Sequence, residues 1–133
     1  MQKEPLVIYG DGEQTRDFLY VADLVEAILL ADSAETPGEV FQIASGRETS
    51  IRTLLETMKK VLPDLSFDIR YEPSRAGEIS RNYANIEKAR RRLGFNPKTE
   101  LRQGLVKTWK WFQEHTGKDA KTESGAAQVS HKV

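Results

Sequence analysis

PLVIYGDGEQTRDFLYVADLVEAILLA, from Pro5 to Ala31, changes its apolar period twice and so decides the class of fold. Pro5 to Tyr9 is a short β-prone run that stops at Gly10-Asp11-Gly12, a tight-turn signal. Thr15 to Tyr20 is β-prone again, and alternation puts Arg16, Phe18 and Tyr20 on one face, with Thr15, Asp17 and Leu19 on the other. Val21, Leu24, Val25, Ile28 and Leu29 then recur at helical spacing, which predicts an amphipathic helix ending before Thr36-Pro37-Gly38.

The same alternation continues downstream. Val40 to Ala44 is β-branched and aromatic and predicts a strand; Ser45-Gly46 makes a loop, and Thr49-Ser50 offers a helix cap. Ile51, Leu54, Leu55, Met58 and Leu62 form a second helical stripe, stopped by Pro63, and Phe67 to Tyr71 alternates as a strand. Asn85 can cap a short helix carrying Ile86, Ala89 and Leu93, with Gly94 placed to end it in a left-handed conformation. Leu101, Leu105, Trp109 and Phe112 mark a last amphipathic helix. The organisation expected is one unit over residues 1–116 and a disordered tail over 117–133, where no apolar period is sustained. Strands alternating with helices predict an α/β fold with few short strands. So small a sheet leaves apolar helix faces uncovered unless another domain or another copy packs on them.

Composition narrows the partners. Lysine plus arginine and aspartate plus glutamate number 20 each, so no long-range positive field draws in nucleic acid or an anionic membrane. No apolar run approaches the roughly 20 residues of a membrane span. With no cysteine, thiolate catalysis and disulfides are both excluded, and a cytoplasmic location is expected. His115 and His131 have no paired carboxylates at ligand spacing, which argues against a metal site. Arg90-Arg91-Arg92, with Glu87 nearby, reads as a solvated helix face, and of Trp109, Trp111 and Phe112 only Trp111 is expected outside the core stripe.

Two segments could bind an anion. In Gly10 to Val21 a glycine turn precedes an arginine flanked by aromatics; glycines let the backbone approach a ligand, and a guanidinium grips a phosphate with two parallel hydrogen bonds. Spacing alone favours the plainer reading, a surface Arg16 paired with Asp17 or Glu13. In Pro73-Ser74-Arg75-Ala76-Gly77-Glu78, Arg75 could neutralise phosphates while Glu78 accepts from ribose hydroxyls, though the local sequence favours a solvated linker between a strand and a helix.

PLVIYGDGEQTRDFLYVADLVEAILLA, VFQIASGRETSIRTLLETM and YEPSRAGEISRNYANIEKARRRLGFNPKTELRQGLVKTWKWF together resemble the extended short-chain dehydrogenase/reductases, the NAD-dependent nucleotide-sugar epimerases and dehydratases that include UDP-glucose 4-epimerase. The resemblance runs from Pro5 to about Glu114, with the motifs in the family's order. It implies the C-terminal part of that fold, with an incomplete Rossmann sheet, and a UDP- or dTDP-sugar as ligand. It also implies roles for single residues. Arg16 and Arg75 would contact the diphosphate, Glu78 the ribose, and Tyr9 the base, while Gln14 and Tyr20 would line the same pocket. Glu78 stands where many members carry aspartate, and Gln42 where many carry asparagine.

The family's NAD site and catalytic pair have no counterpart in these residues. Gly10-x-Gly12 is followed by Thr15 rather than a third glycine, and the residues four after Tyr9, Tyr20, Tyr71 and Tyr83 are Glu13, Leu24, Arg75 and Glu87, so YxxxK does not occur. The expectation is therefore a substrate-binding part that is not catalytic alone, takes no cofactor by itself, works with a separate Rossmann half, and self-associates into a homo-oligomer. The alternative is a non-catalytic assembly module or a truncated gene product.

Overall fold

A computed structural model describes residues 5–62 and 67–122, with side chains described as far as His115. In chain order the elements are β1 (Leu6–Tyr9), β2 (Thr15–Arg16), α1 (Val21–Ser33), β3 (Thr49–Ser50), α2 (Ile51–Val61), β4 (Ile69–Glu72), α3 (Glu87–Leu93) and α4 (Leu101–Thr122). The fold is α/β, as expected. β1 and β4 pair in parallel from Leu6 with Ile69 to Tyr9 with Glu72, and the two crossover helices α1 and α2 lie between them in the chain. β2 and β3 form a second, antiparallel pair, Thr15 with Ser50 and Arg16 with Thr49.

Local chemistry accounts for several boundaries. Ser50 caps α2, its hydroxyl accepting from the Thr53 amide at 3.0 Å. Gly94 ends α3 at φ 68°, with its N–H donating to the carbonyls of Ala89 and Arg90. Asn85 acts one residue earlier than a cap, its side-chain oxygen accepting from Glu87 N at 2.9 Å. β4 starts later than the Phe67 to Tyr71 alternation suggests, because pairing with β1 sets its limits: Leu6 N donates to Asp68 O and Gly10 N to Glu72 O.

The structure corrects three expectations. Val40 to Ala44 forms no strand. The segment keeps an inward alternation, Phe41 and Ile43 packing on the core while Val40 and Gln42 are exposed, yet no strand lies alongside it among the described residues. Second, the apolar stripe of α1 faces out: Val21, Val25, Ile28 and Leu29 are each about half exposed or more, and the buried positions are Asp23 and Ala27. The narrow face of Ala27, Leu30 and Ala34 is what allows α1 to approach α3 closely, around Ala89, Leu93 and the fully buried Phe95. Third, Phe112 is 50 % exposed, stacked against Trp109 on the α4 surface instead of lying in the core; Trp111 is exposed, as expected.

Asp23, the buried charge in this core, accepts from Thr99 N at 3.0 Å and Thr99 Oγ1 at 3.2 Å and so ties α1 to the approach of α4. α4 continues to Thr122, inside the segment read as a structureless tail; residues 123–133 and the Pro63 stop lie outside the described residues.

Candidate functional site

Gly10 and Gly12 hold φ of 77° and 80°, values that side-chain-bearing residues rarely adopt. A Cβ at Gly10 would lie 2.8 Å from Ser74 Oγ, so the 73–79 loop packs against the β1–β2 turn at this glycine. The two segments singled out in the sequence, far apart in the chain, therefore meet at one place. Between them is a cleft of about 480 Å³ whose lining includes Tyr9, Asp11, Gln14, Arg75, Glu78 and Arg81. A second concavity of about 370 Å³, sharing Arg75, Gly77 and Glu78 with the first, brings in Arg16.

Arg16 is held from both sides. Its Nη1 donates to the carbonyls of Thr15 at 2.7 Å and Ile79 at 2.9 Å, and its Nη2 donates to Glu78 Oε1 at 3.1 Å. The plain surface reading is thus half met: Arg16 does have an acidic partner, but it is Glu78 of the opposite loop rather than Asp17 or Glu13. Both side chains keep roughly a quarter of their surface open to water, 30 % and 26 %.

Arg75 lies over the Tyr9 ring, its guanidinium carbon 3.6 Å from the centroid. One face of the ring expected to meet a base is therefore taken by a cation. Gln14 does not point to open space; its Nε2 donates to the Tyr9 carbonyl at 2.8 Å and braces the end of β1. Tyr20 stands apart from the other five. It precedes α1 and lines an apolar groove of about 270 Å³ with Phe18, Leu54, Met58 and Leu105, its ring against Gly104 and under Lys107. It leaves the alternating face because the β2 pairing ends at Arg16, so Phe18 and Tyr20 are no longer in register with it.

Sequence reasoning missed two supporting groups. Asp17 accepts from Ser45 N at 2.7 Å, Ser45 Oγ at 2.5 Å, Gly46 N at 2.9 Å and Ala84 N at 3.4 Å, binding the segment after Arg16 to two other loops. Arg81 makes a two-point contact with Glu48, 2.7 Å from Nε and 2.5 Å from Nη2, and Glu48 also accepts from Thr15 Oγ1 at 2.6 Å. The Arg81 hydrogen bonds, with a smaller contribution from Thr15, lower the Glu48 pKa to about 2. No residue spacing signals either group, since each partner lies in a different segment.

The described residues do not fit a dinucleotide. The Gly10–Gly12 turn leads into β2 rather than into a helix; the first turn of α2 does meet it, but there the Arg52 N–H is taken by the Gly12 carbonyl at 2.9 Å, and among the described residues no glycine-rich turn joins a strand directly to a helix. Nor is there any cluster of histidine and carboxylate side chains able to hold a metal ion among them.

The sequence profile described as GDP-mannose 4,6-dehydratase matches residues 1–108. UDP-glucuronic acid decarboxylase 2 of Arabidopsis thaliana is 34 % identical over 133 residues, all of this chain and 29 % of the relative. UDP-glucose 4-epimerase of Mycolicibacterium smegmatis is 33 % identical over 108 residues, 80 % of this chain and 34 % of the relative. Among solved structures, the UDP-glucose 4-epimerase of Thermotoga maritima with UDP-glucose superposes with a TM-score of 0.77 at 35 % identity, covering 86 % of this chain and 37 % of that one. An epimerase of Methanothermobacter thermautotrophicus gives 0.80 at 30 % identity, covering 90 % and 36 %. The chain spans about a third of the length of these relatives.

Proposed function

Since the chain belongs to the GDP-mannose 4,6-dehydratase family, within the NAD-dependent nucleotide-sugar epimerases and dehydratases, we propose that it binds the nucleoside diphosphate portion of a nucleotide sugar and is not catalytic by itself. The observation that carries this reading is the shared concavity of Arg16, Arg75 and Glu78. Two guanidinium groups there can take the linked phosphates, and the carboxylate, an acceptor without a donor, can receive ribose hydroxyls. Tyr9 offers its remaining face, or the Arg75 plane stacked on it, to a base. Gln14 supports this work by fixing Tyr9; Tyr20, in its separate groove, does not join it directly. UDP- and dTDP-sugars are the ligand class, and hydride transfer with NAD would need a separate Rossmann half.

Calorimetric titration with UDP tests the proposal. Binding in the millimolar range or tighter is expected, abolished by Arg16→Ala and by Arg75→Ala; a wild-type protein that takes up no UDP would refute it.

A second reading, compatible with the first, rests on the exposed stripe of α1. Val21, Val25, Ile28 and Leu29 make an exposed apolar surface, and we propose that it is covered on assembly, by another copy or by the Rossmann half.

A further inference from the structure

Glu78 occupies the Nη2 edge of Arg16, an edge that could otherwise donate to a phosphate. Nη1 of Arg16 is fixed by two backbone carbonyls, Thr15 O and Ile79 O, whereas Nη2 donates to Glu78 Oε1 at 3.1 Å. The guanidinium is consequently oriented by the main chain, and Glu78 acts on it mainly as a counter-ion. The surrounding charges do not offset this. Arg81 is committed to Glu48 and Arg52 to Glu13, which leaves Arg16 and Arg75 as the cations lining the concavity and Glu78, paired with Arg16, as its anion.

From this arrangement, and resting on the reading above, we infer that Glu78 is an internal competitor that selects diphosphates carrying a ribose diol over bare phosphate anions. An incoming phosphate must detach Glu78 from Nη2 and then sit beside an unpaired carboxylate, which repels it. Inorganic pyrophosphate has no donor with which to satisfy Glu78 and bears the whole of that cost. A ribonucleoside diphosphate brings two adjacent hydroxyls that can donate to the displaced carboxylate, so the same displacement is compensated. A 2′-deoxyribonucleoside diphosphate, with one hydroxyl fewer on the sugar, should rank between the two. The selectivity lies in what Glu78 receives in exchange for Arg16, because discrimination arises where a poor ligand leaves a polar group unpaired.

The test is calorimetry with UDP, dTDP and inorganic pyrophosphate on the whole chain and on Glu78→Gln and Glu78→Ala, each checked for an unchanged melting temperature. Wild-type protein should bind UDP more tightly than dTDP, and dTDP more tightly than pyrophosphate. In both variants pyrophosphate should bind about fivefold more tightly, the scale of a partly exposed ion pair, while UDP binding should not improve, so that the preference collapses. If wild-type protein binds UDP but removing Glu78 leaves pyrophosphate affinity unchanged or lower, the selection role is wrong and the binding site stands. If wild-type protein binds neither UDP nor pyrophosphate, both readings fall.

Discussion

Gly10 and Ser74 lie so close that a single added carbon on the first would come within 2.8 Å of the hydroxyl of the second. The contact joins the turn after β1 to the loop carrying Arg75 and Glu78, and every side chain of the proposed site except Arg16 is borne by β1, its turn or that loop. Gly10→Ala should therefore lower stability by roughly 1–2 kcal/mol from the left-handed backbone alone, with further loss from the Ser74 contact. Urea unfolding measures it. Gly38→Ala, at φ 73° with no atom near the new Cβ, serves as the control with backbone strain only.

Asp23 and Thr99 provide a test of the scaffold. Asp23→Ala removes the acceptor of a main-chain N–H and a hydroxyl in the interior, and the orphaned donors should cost about 1–3 kcal/mol. UDP affinity should change little, because the contact lies on the α1–α4 side and away from Arg16 and Arg75. An equal loss of binding and stability would contradict that separation.

Acid sensitivity follows from Glu48. Its folded pKa, about 2, lies below the ordinary 4.5, so the carboxylate contributes stability above pH 4.5 that is lost as pH falls towards 2. Glu48→Gln should melt lower than the wild type at neutral pH and lose less on acidification across that window, the two converging at its acid end. Thermal melts from pH 2 to pH 7 decide this.

Arg75→Lys keeps the charge and loses the plane. A lysine cannot lie flat on Tyr9 or grip two phosphate oxygens at once, so UDP affinity should fall roughly five- to tenfold. Tyr9→Leu should give a smaller loss of the same sign, measured by the same titration.

The α1 stripe makes a prediction about assembly. Leu29, 64 % exposed, should tolerate charge in the folded chain, and Leu29→Glu should leave the melting temperature of a dilute sample unchanged. If copies associate through this face, light scattering of the wild type will show mass above the monomer, and the substitution will lower it. A monomeric wild type at high concentration would rule out self-association there.

Much of this was legible from residue order. The four helices, the Ser50 cap, the left-handed Gly94 and the β1 strand follow from apolar period and from backbone preferences that act over a few residues. The proposed diphosphate site was not legible in that way: it came from the resemblance of the Arg16 and Arg75 segments to a family, since their spacing alone favoured solvated surface residues. Direction and partnership were not. The apolar residues of α1 follow a helical period whichever side faces in, and only the small residues against α3 determined that Ala27 turns inward. Val40 to Ala44 has strand composition, yet a strand requires a neighbour to receive its hydrogen bonds. Likewise Arg16 meets Glu78, Arg81 meets Glu48, and Tyr20 is carried into another groove, because long-range pairing positions side chains that the sequence separates. Local preferences are short-range and additive, so the chain by itself determined the helices, their caps and the β1 strand; convergence is a collective result of packing, and only the tertiary structure decided which charges share a cleft.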